Sequence, residues 1–246
     1  MTDTLLTALA LIPALVFAIV FHEVAHGWTA LALGDPTAKE RRRLSLNPIR
    51  HVDLLGTLIL PGMLALAGLP IFGWAKPVPV SQNRLDNPRF GMMAVAAAGP
   101  LTNLVLAGLG ALGLGLLVGR LAGDPADAAA LLNALARGAS PNPETGAGFV
   151  ILMLSAFILL NIFLAMFNLL PVPPFDGSHI VEGLLPQQAA RAYARLRPYG
   201  FALLFGLLLI VPWLFPGAGI IEHVVLPPVL WAQDKFFALA QWAAGR

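Results

Sequence analysis

The sequence predicts an all-α polytopic membrane protein, and three observations lead to that fold class. Of the 246 residues, 58% are hydrophobic and only 11% are charged, whereas a soluble domain carries about 25% charged residues. The mean hydropathy is +0.78. Five stretches of 18 residues or more contain no Asp, Glu, Lys, Arg or His, close to the ~20 apolar residues that span a bilayer as a helix.

These stretches predict a single membrane-embedded domain over residues 1–246 with five to six hydrophobic segments. In chain order the segments are 4–33, 54–80, 90–119, 145–171, 198–221 and 224–242. The first is expected to end at Gly34, a helix stop before Asp35-Pro36. The last two are expected to be accessory helices. Because Gln233, Asp234 and Lys235 interrupt the final one, it either spans the membrane or lies in the interface.

The second segment differs from the others because Pro61, Gly62, Gly68 and Pro70 interrupt it. Cytoplasmic loops collect Lys and Arg, and the basic residues number five in 34–53, three in 76–89, three in 176–197 and two in 120–144. If the second segment is re-entrant and is followed by an extended or β stretch at 76–80, the loops 34–53, 76–89 and 176–197 lie on the same side of the membrane. The N-terminus is then outside and the basic loops are cytoplasmic. A broken spanning helix is the alternative.

Charge and cysteine content exclude several classes of function. The net charge of +2 is small and scattered, so no nucleic-acid partner is expected. The chain has no cysteine, which excludes disulfides, thiolate metal sites and a cysteine nucleophile. Residues 123–145, rich in Gly, Ala, Pro and Asp, are predicted to be an external linker.

The pattern His22-Glu23-Val24-Ala25-His26 lies inside the first hydrophobic segment. Residues four apart lie one turn apart on the same helix face, so both imidazoles can reach one metal ion. The Glu between them can act as general base toward a metal-bound water. Ionisable residues at membrane depth usually have a function. A polar cluster at the water boundary is the alternative.

A catalytic zinc ion normally has three protein ligands, and Asp176 is the candidate for the third. It follows a long charge-free segment that ends at Pro171, Pro173 and Pro174, because proline cannot continue a helix. We expect Asp176 to lie on a short extended segment that faces the histidine pair. An ordinary Asp-Gly turn at a helix exit is the alternative reading.

Together these motifs resemble the site-2 proteases, the intramembrane zinc metalloproteases. The resemblance rests on residues 22–26, on Gly99-Pro100-Leu101-Thr102-Asn103 and on residues 168–177. Residues 47–53 and 73–80 are similar to compact prokaryotic members. No PDZ-like or CBS-like domain accompanies the motifs, and Phe175 stands where the family often has Leu.

The resemblance implies a three-helix catalytic core that holds one zinc ion per chain. It implies His22, His26 and Asp176 as ligands, Glu23 as the base, and Asn168 as a residue that orients substrate or polarises its carbonyl. The implied partners are the lipid bilayer and a transmembrane protein or peptide as substrate. No feature of the sequence sets the oligomeric state.

Two other functions compete with intramembrane proteolysis. The same His/Asp set would suit a metal-binding membrane transporter, although a transporter needs several sites along a path. The second competing function is that of an inactive scaffold with the protease fold.

Several other polar residues have two possible roles each. Asn103 and Asn161 either bond near the site or pack, and His51 and Asp53 either order a loop or form a simple turn. His179 competes with Asp176 as a ligand.

The glycines of the third segment fit a nucleotide motif by chance. Gly108, Gly110 and Gly113 match the dinucleotide pattern, which requires a preceding strand that this segment lacks. They, with Gly115 and Gly119, are therefore expected to allow close helix packing.

Overall fold

A computed structural model describes residues 2–59, 63, 75–215, 217 and 219–245. Its α-helices are α1 (Thr2–Ala32), α2 (Thr37–Glu40), α3 (Pro88–Ala122), α4 (Pro125–Ala136), α5 (Gly146–Asn168), α6 (Asp176–Leu184), α7 (Gln187–Ala194), α8 (Gly200–Phe205), α9 (Val211–Leu214) and α10 (Leu226–Ala244). Short 3-10 or π turns lie at Pro48–His51, Leu54–Ile59, Gln82–Arg84, Arg197–Tyr199, Gly206–Ile210 and Ile221–Val225. The described residues contain no β-strand, so the all-α class is confirmed.

Within the part of the chain that the structure describes, four helical stretches are long and apolar enough to cross a membrane. They are Leu5–Ala32, Pro88–Ala122, Gly146–Asn168 and Gln187–Leu214. Their lipid-facing residues remain exposed on the protein, for example Leu109 and Val105 of α3 at 59% and 62% exposure. Such a surface would not be stable in water, and the chain is a multi-pass membrane protein.

The core consists of α1, α3 and α5, each of which contacts the other two. Buried small and branched side chains fill the space between α3 and α5, among them Ala107, Ala111, Ile158 and Ile162. Helix α1 ends at Ala32, two residues before the predicted stop at Gly34, whose φ of +97° belongs to the left-handed region. Helix α3 is longer than the charge-free stretch: the Asn87 side chain accepts from the Phe90 N–H at its start.

Helix α10 packs against α3 through glycine, as expected. A Cβ on Gly115 would lie 2.1 Å from the carbonyl oxygen of Ala240, and one on Gly119 would lie 2.5 Å from that of Ala244. Two glutamines of α10 face α4: the Gln233 amide donates to the Ala136 carbonyl at 2.5 Å, and the Gln241 amide donates to Asn133 Oδ1 at 2.9 Å. The last segment is therefore an accessory helix docked on the core.

Residues 123–145 are not a linker throughout, because α4 occupies the first half. The Asp124 carboxylate accepts from the Ala126 N–H at 2.8 Å, and Pro125 takes the first helical position. Leu132 and Leu135 bury the apolar face of α4. The sequence contains the helix start signal Asp124-Pro125, but the surrounding Gly, Ala and Asp residues led to the prediction of a linker.

The predicted re-entrant segment lies largely outside the described residues, which omit 60–62 and 64–74. Its first turn, Leu54–Ile59, is helical. Residues 75–81 contain no helix, turn or bend and are therefore extended, and they pair with no strand among the described residues. Pro77 and Pro79 have no N–H to donate to a neighbouring strand, so Val78 and Val80 are the only backbone donors of residues 77–80.

Candidate metal centre and active site

The two histidines of α1 lie together and are almost completely buried. His22 is 7% and His26 is 8% exposed, and their ring centroids are 4.6 Å apart. The Nε2 atoms of both rings face the carboxylate of Asp176. Its Oδ2 lies 3.1 Å from His22 Nε2 and 3.3 Å from His26 Nε2. Asp176 therefore lies beside the histidine pair of α1, as predicted, although it follows His26 by 150 residues in the sequence.

Asp176 is not on an extended segment, and that prediction is wrong. After the proline-rich turn, Asp176 is the first residue of α6. Gly177 makes this geometry possible: a Cβ there would lie 2.2 Å from the Leu169 carbonyl oxygen. The start of α6 can therefore fold back against the end of α5, and the carboxylate points toward α1.

The three side chains fit a zinc ion. Their ligand atoms all lie within 4.8 Å of one another. Zinc–ligand bonds of about 2.0–2.2 Å in tetrahedral geometry put neighbouring ligand atoms about 3.4 Å apart, close to the two distances measured here. Asp176 Oδ2 is buried and accepts no hydrogen bond from any described residue, as expected of an oxygen placed to bind a cation.

The hydrogen bond that each imidazole makes through Nδ1 determines which of its nitrogens can bind the metal. His22 Nδ1–H donates to Asn103 Oδ1 at 2.6 Å, and His26 Nδ1–H donates to the Val95 carbonyl at 2.7 Å. With the proton on Nδ1, the Nε2 lone pair is free for coordination. Outer hydrogen bonds of this kind orient metal-binding histidines and raise their basicity.

Asn103 is fully buried and links the site to all three core helices. Besides accepting from His22, its amide donates to the Ala18 carbonyl at 3.1 Å and to Asn161 Oδ1 at 2.8 Å. The Asn161 amide in turn donates to the Phe157 carbonyl. Both asparagines therefore bond beside the site rather than only packing, which was the open alternative.

Helix α3 approaches the histidines at Gly99. A Cβ at this position would lie 2.5 Å from His26 Nε2 and 2.6 Å from His22 Cε1. Only glycine leaves room for both imidazoles at this helix contact. Gly99 and Asn103 lie four residues apart on the same face of α3, so one helix face both supports the pair and makes space for it.

Replacing Asn103 by Leu is expected to weaken zinc binding by about 10- to 100-fold, the range seen when a hydrogen bond to a metal ligand is lost. The measurement is a competition titration against a chelating dye in detergent. Leu101→Ala, on the exposed face of the same helix, should bind zinc like the wild type. Equal affinities for the two variants would show that Asn103 only packs.

Glu23 lies between the two histidines along α1 and is partly buried. Its Oε2 accepts from the backbone N–H of Val78 at 2.7 Å. The carboxylate does not belong to the convergent metal group. The Val78 bond therefore joins this carboxylate to residues 75–81.

The convergent metal group does not include His179, His51 or Asp53. The Asn168 amide donates to the Leu164 carbonyl at 2.9 Å, and its catalytic role stays a prediction. His179 has a buried Nδ1 without a partner among the described residues. Burial and then the charge of Arg197 lower the pKa of His179. His51 is buried and its Nε2 bonds the Ser45 carbonyl, while Asp53 accepts from the Gly56 N–H, so both order the loop before residue 57.

A His-x-x-x-His helix that encloses a Glu, completed by a carboxylate from a distant helix, defines a metallopeptidase type of site. Sequence comparison gives the same class. Residues 10–211 match the model of Peptidase family M50, and the chain belongs to that family. The predicted resemblance to the site-2 proteases is thereby confirmed, and the protein is a zinc metalloendopeptidase.

Curated relatives cover most of the chain. It is 36% identical over 208 residues to "Putative zinc metalloprotease YwhC" of Bacillus subtilis, a match that covers 83% of each protein. It is 30% identical over 219 residues to "Putative zinc metalloprotease Rip2" of Mycolicibacterium smegmatis, covering 84% of this chain and 73% of the relative. No solved structure matches the chain significantly.

Proposed function

We propose that this metalloendopeptidase hydrolyses a peptide bond within or next to a transmembrane segment of another membrane protein. The observation that carries the proposal is that the buried His22 and His26 converge with the partly buried Asp176 in a protein whose α1, α3 and α5 can span a bilayer. His26 lies eight residues before Gly34, on the order of 12 Å along a helix. A transmembrane segment brings a peptide bond to that depth.

We assign the chemistry as follows. His22, His26 and Asp176 would hold the zinc ion, which when bound would supply Lewis acidity and an activated water. Glu23 takes the proton from the attacking water and returns it to the leaving amine. Asn168 uses one amide hydrogen on the Leu164 carbonyl. Its second amide hydrogen is proposed to bond the scissile carbonyl as negative charge develops there.

The substrate has to be locally unwound, because a helix uses its own carbonyls in internal hydrogen bonds. Residues 75–81 are already extended and lie against Glu23. We propose that the substrate pairs with this segment as an added strand, the way peptides bind exposed edges. Residues 22–26, 75–81, 99–103 and 168–176 then form one active site within a single domain.

Replacing Val80 by Pro tests the pairing, since it removes one N–H and leaves the Val78 bond to Glu23 in place. We expect KM to rise about 5- to 10-fold, the value of one hydrogen bond of about 1 kcal/mol, while kcat stays the same. The matched control is Val80→Ala, which keeps the N–H. If KM is equal in the two variants, the substrate does not use this backbone group. Val78→Pro should additionally lower kcat, because it removes the donor to Glu23.

Orientation is the remaining part of the proposal: the N-terminus outside and the basic loops in the cytoplasm of a cell-membrane protein. The chain has no cysteine, so single cysteines can be introduced on a silent background. A membrane-impermeant thiol reagent added to intact cells should label Ala139→Cys and leave Arg41→Cys unlabelled. The opposite pattern would invert the topology.

The function itself is tested by incubating the purified protein in detergent with a panel of single-span membrane segments, before and after zinc removal and restoration. We expect cleavage that chelation abolishes and zinc restores, with the cut mapped by mass spectrometry inside or beside the apolar span. Cuts confined to soluble tails would contradict the intramembrane assignment. Zinc uptake into proteoliposomes without cleavage of any segment would instead favour a transporter.

A further inference from the structure

The extended residues 75–81 are held at both ends by buried charged side chains. At the first end, the Arg43 guanidinium donates from Nη2 to the carbonyls of Lys76 at 2.6 Å and Pro77 at 3.4 Å. Arg43 is only 8% exposed, although its neighbours Arg41 and Arg42 are on the surface. A guanidinium loses much hydration energy on burial and needs such partners.

At the second end, the Asp35 carboxylate is completely buried. Its Oδ2 accepts from the Ser81 N–H at 2.6 Å. Its Oδ1 accepts from the N–H of Thr37 at 3.0 Å and from the Thr37 hydroxyl. These bonds outweigh the burial, which opposes ionisation, and hold the pKa of Asp35 below its usual value. Asp35 therefore anchors the segment as an anion.

Between the two anchors the segment makes its contact with Glu23, and the prolines on either side of Val78 make that contact sensitive to register. Val78, whose N–H donates to Glu23 Oε2, stands between Pro77 and Pro79, which have no N–H to donate. A slip of one residue in either direction would therefore place a proline opposite the carboxylate. Whatever fixes the register of residues 76–78 also fixes the hydrogen bond to Glu23.

Packing brings the segment close to α1. Val78 is buried over Gly27, where a Cβ would lie 3.0 Å from Val78 Cγ1 and 2.5 Å from Leu44 Cδ2. Directional bonds come from both ends of the segment. At the first end, next to Val78, Arg43 donates to the two carbonyls and the Lys76 N–H donates to the His51 carbonyl at 2.8 Å, and at the far end the Ser81 N–H donates to Asp35.

We infer that Arg43 is a positioning residue for Glu23: by fixing the Lys76 and Pro77 carbonyls it sets the register in which the Val78 N–H holds the Glu23 carboxylate. The catalytic part of this inference rests on the proposed role of Glu23 as base. A base held within a fraction of an ångström of its proton donor works much faster than one that rotates freely, since a displacement of 1 Å can cost about 100-fold in rate.

The first test compares Arg43→Gln with Arg41→Gln, an exposed arginine of the same loop. We expect kcat of Arg43→Gln to fall about 10- to 100-fold, with KM, zinc content and thermal midpoint close to the wild type. Arg41→Gln should match the wild type throughout. Adding guanidinium ion to Arg43→Ala should restore part of kcat by supplying the missing donor, whereas a purely structural defect would not respond to it.

A second test does not depend on cleavage. Amide hydrogen exchange of a peptide covering residues 76–80 reports only Lys76, Val78 and Val80, because prolines have no amide hydrogen. In Arg43→Gln, exchange at Val78 should rise about 10-fold or more, as expected for loss of a charge-assisted bond. Arg41→Gln should leave it unchanged. Unchanged Val78 exchange in Arg43→Gln would overturn the inference.

The two proposals fail in different ways. A wild type that cleaves no segment while Arg43→Gln still exposes Val78 removes the protease mechanism and leaves the register role intact. A wild type that cleaves while Arg43→Gln cleaves at the same kcat removes the positioning role and leaves the mechanism intact. If Arg43→Gln does not fold, Arg43→Lys keeps the charge with a single donor group, and its kcat should lie below that of the wild type and rise with added guanidinium.

Discussion

Replacing Glu23 by Gln is expected to lower kcat by about 10²- to 10⁴-fold, the usual contribution of a general base, while zinc stays bound. Gln has the same shape, and its side-chain oxygen can still accept from the Val78 N–H. What it loses is the ability to take a proton. Because Glu23 lies outside the convergent metal group, its loss should not release the ion.

Single-turnover cleavage kinetics and metal analysis of the same preparation check this result. Glu144→Gln removes an exposed carboxylate far from α1 in sequence and should cleave like the wild type. A Glu23→Gln protein that retains its zinc and cleaves at the wild-type rate would show that another group carries the proton. Zinc uptake that survives the substitution, in a protein that never cleaves, would point to transport.

Replacing Asp176 by Asn is expected to weaken zinc binding by more than about 100-fold, beyond the range that changes outside the ligand set produce. The amide oxygen is neutral and a poorer ligand than the carboxylate, and the two histidines alone leave the site short of the three protein ligands of catalytic zinc. Activity should fall in parallel and return partly at high zinc concentration.

Metal affinity, measured by chelator competition, separates the candidates for the third ligand. Glu182→Gln changes a carboxylate of the same helix that pairs with Arg197, and it should bind zinc normally. If Asp176→Asn also binds normally, Asp176 is not a ligand. His179, whose buried Nδ1 has no partner among the described residues, is then the residue to replace, and His179→Ala should lose the metal.

The sequence predicted those parts of the site that depend on spacing within one helix. The facing of His22 and His26 follows from helical periodicity, and the end of α5 before Pro171 follows from proline chemistry. The contact of His22 with Asn103 could not be predicted in this way. It joins residues 81 positions apart and depends on how α1 and α3 are rotated against each other.

Which individual charged side chains are buried could likewise not be predicted from the sequence. Arg41, Arg42 and Arg43 were equivalent as basic loop residues, and only the folded loop turns Arg43 toward the carbonyls of Lys76 and Pro77. The start of α6 shows the same limit. Asp176-Gly177 is equally compatible with a turn and with the first residues of a helix, and the close approach of Gly177 to Leu169 decides between them.

The distribution of the metal ligands along the chain has a consequence for biosynthesis. His22 and His26 enter the membrane with the first helix, whereas Asp176 follows 150 residues later. During translation the early helix therefore carries a bidentate site too weak to retain zinc firmly. On the proposed ligand set, proteolytic competence would arise only when the late segment docks, and binding of the ion would then add its free energy to the assembled state. Newly inserted chains would thus mature in one metal-dependent step.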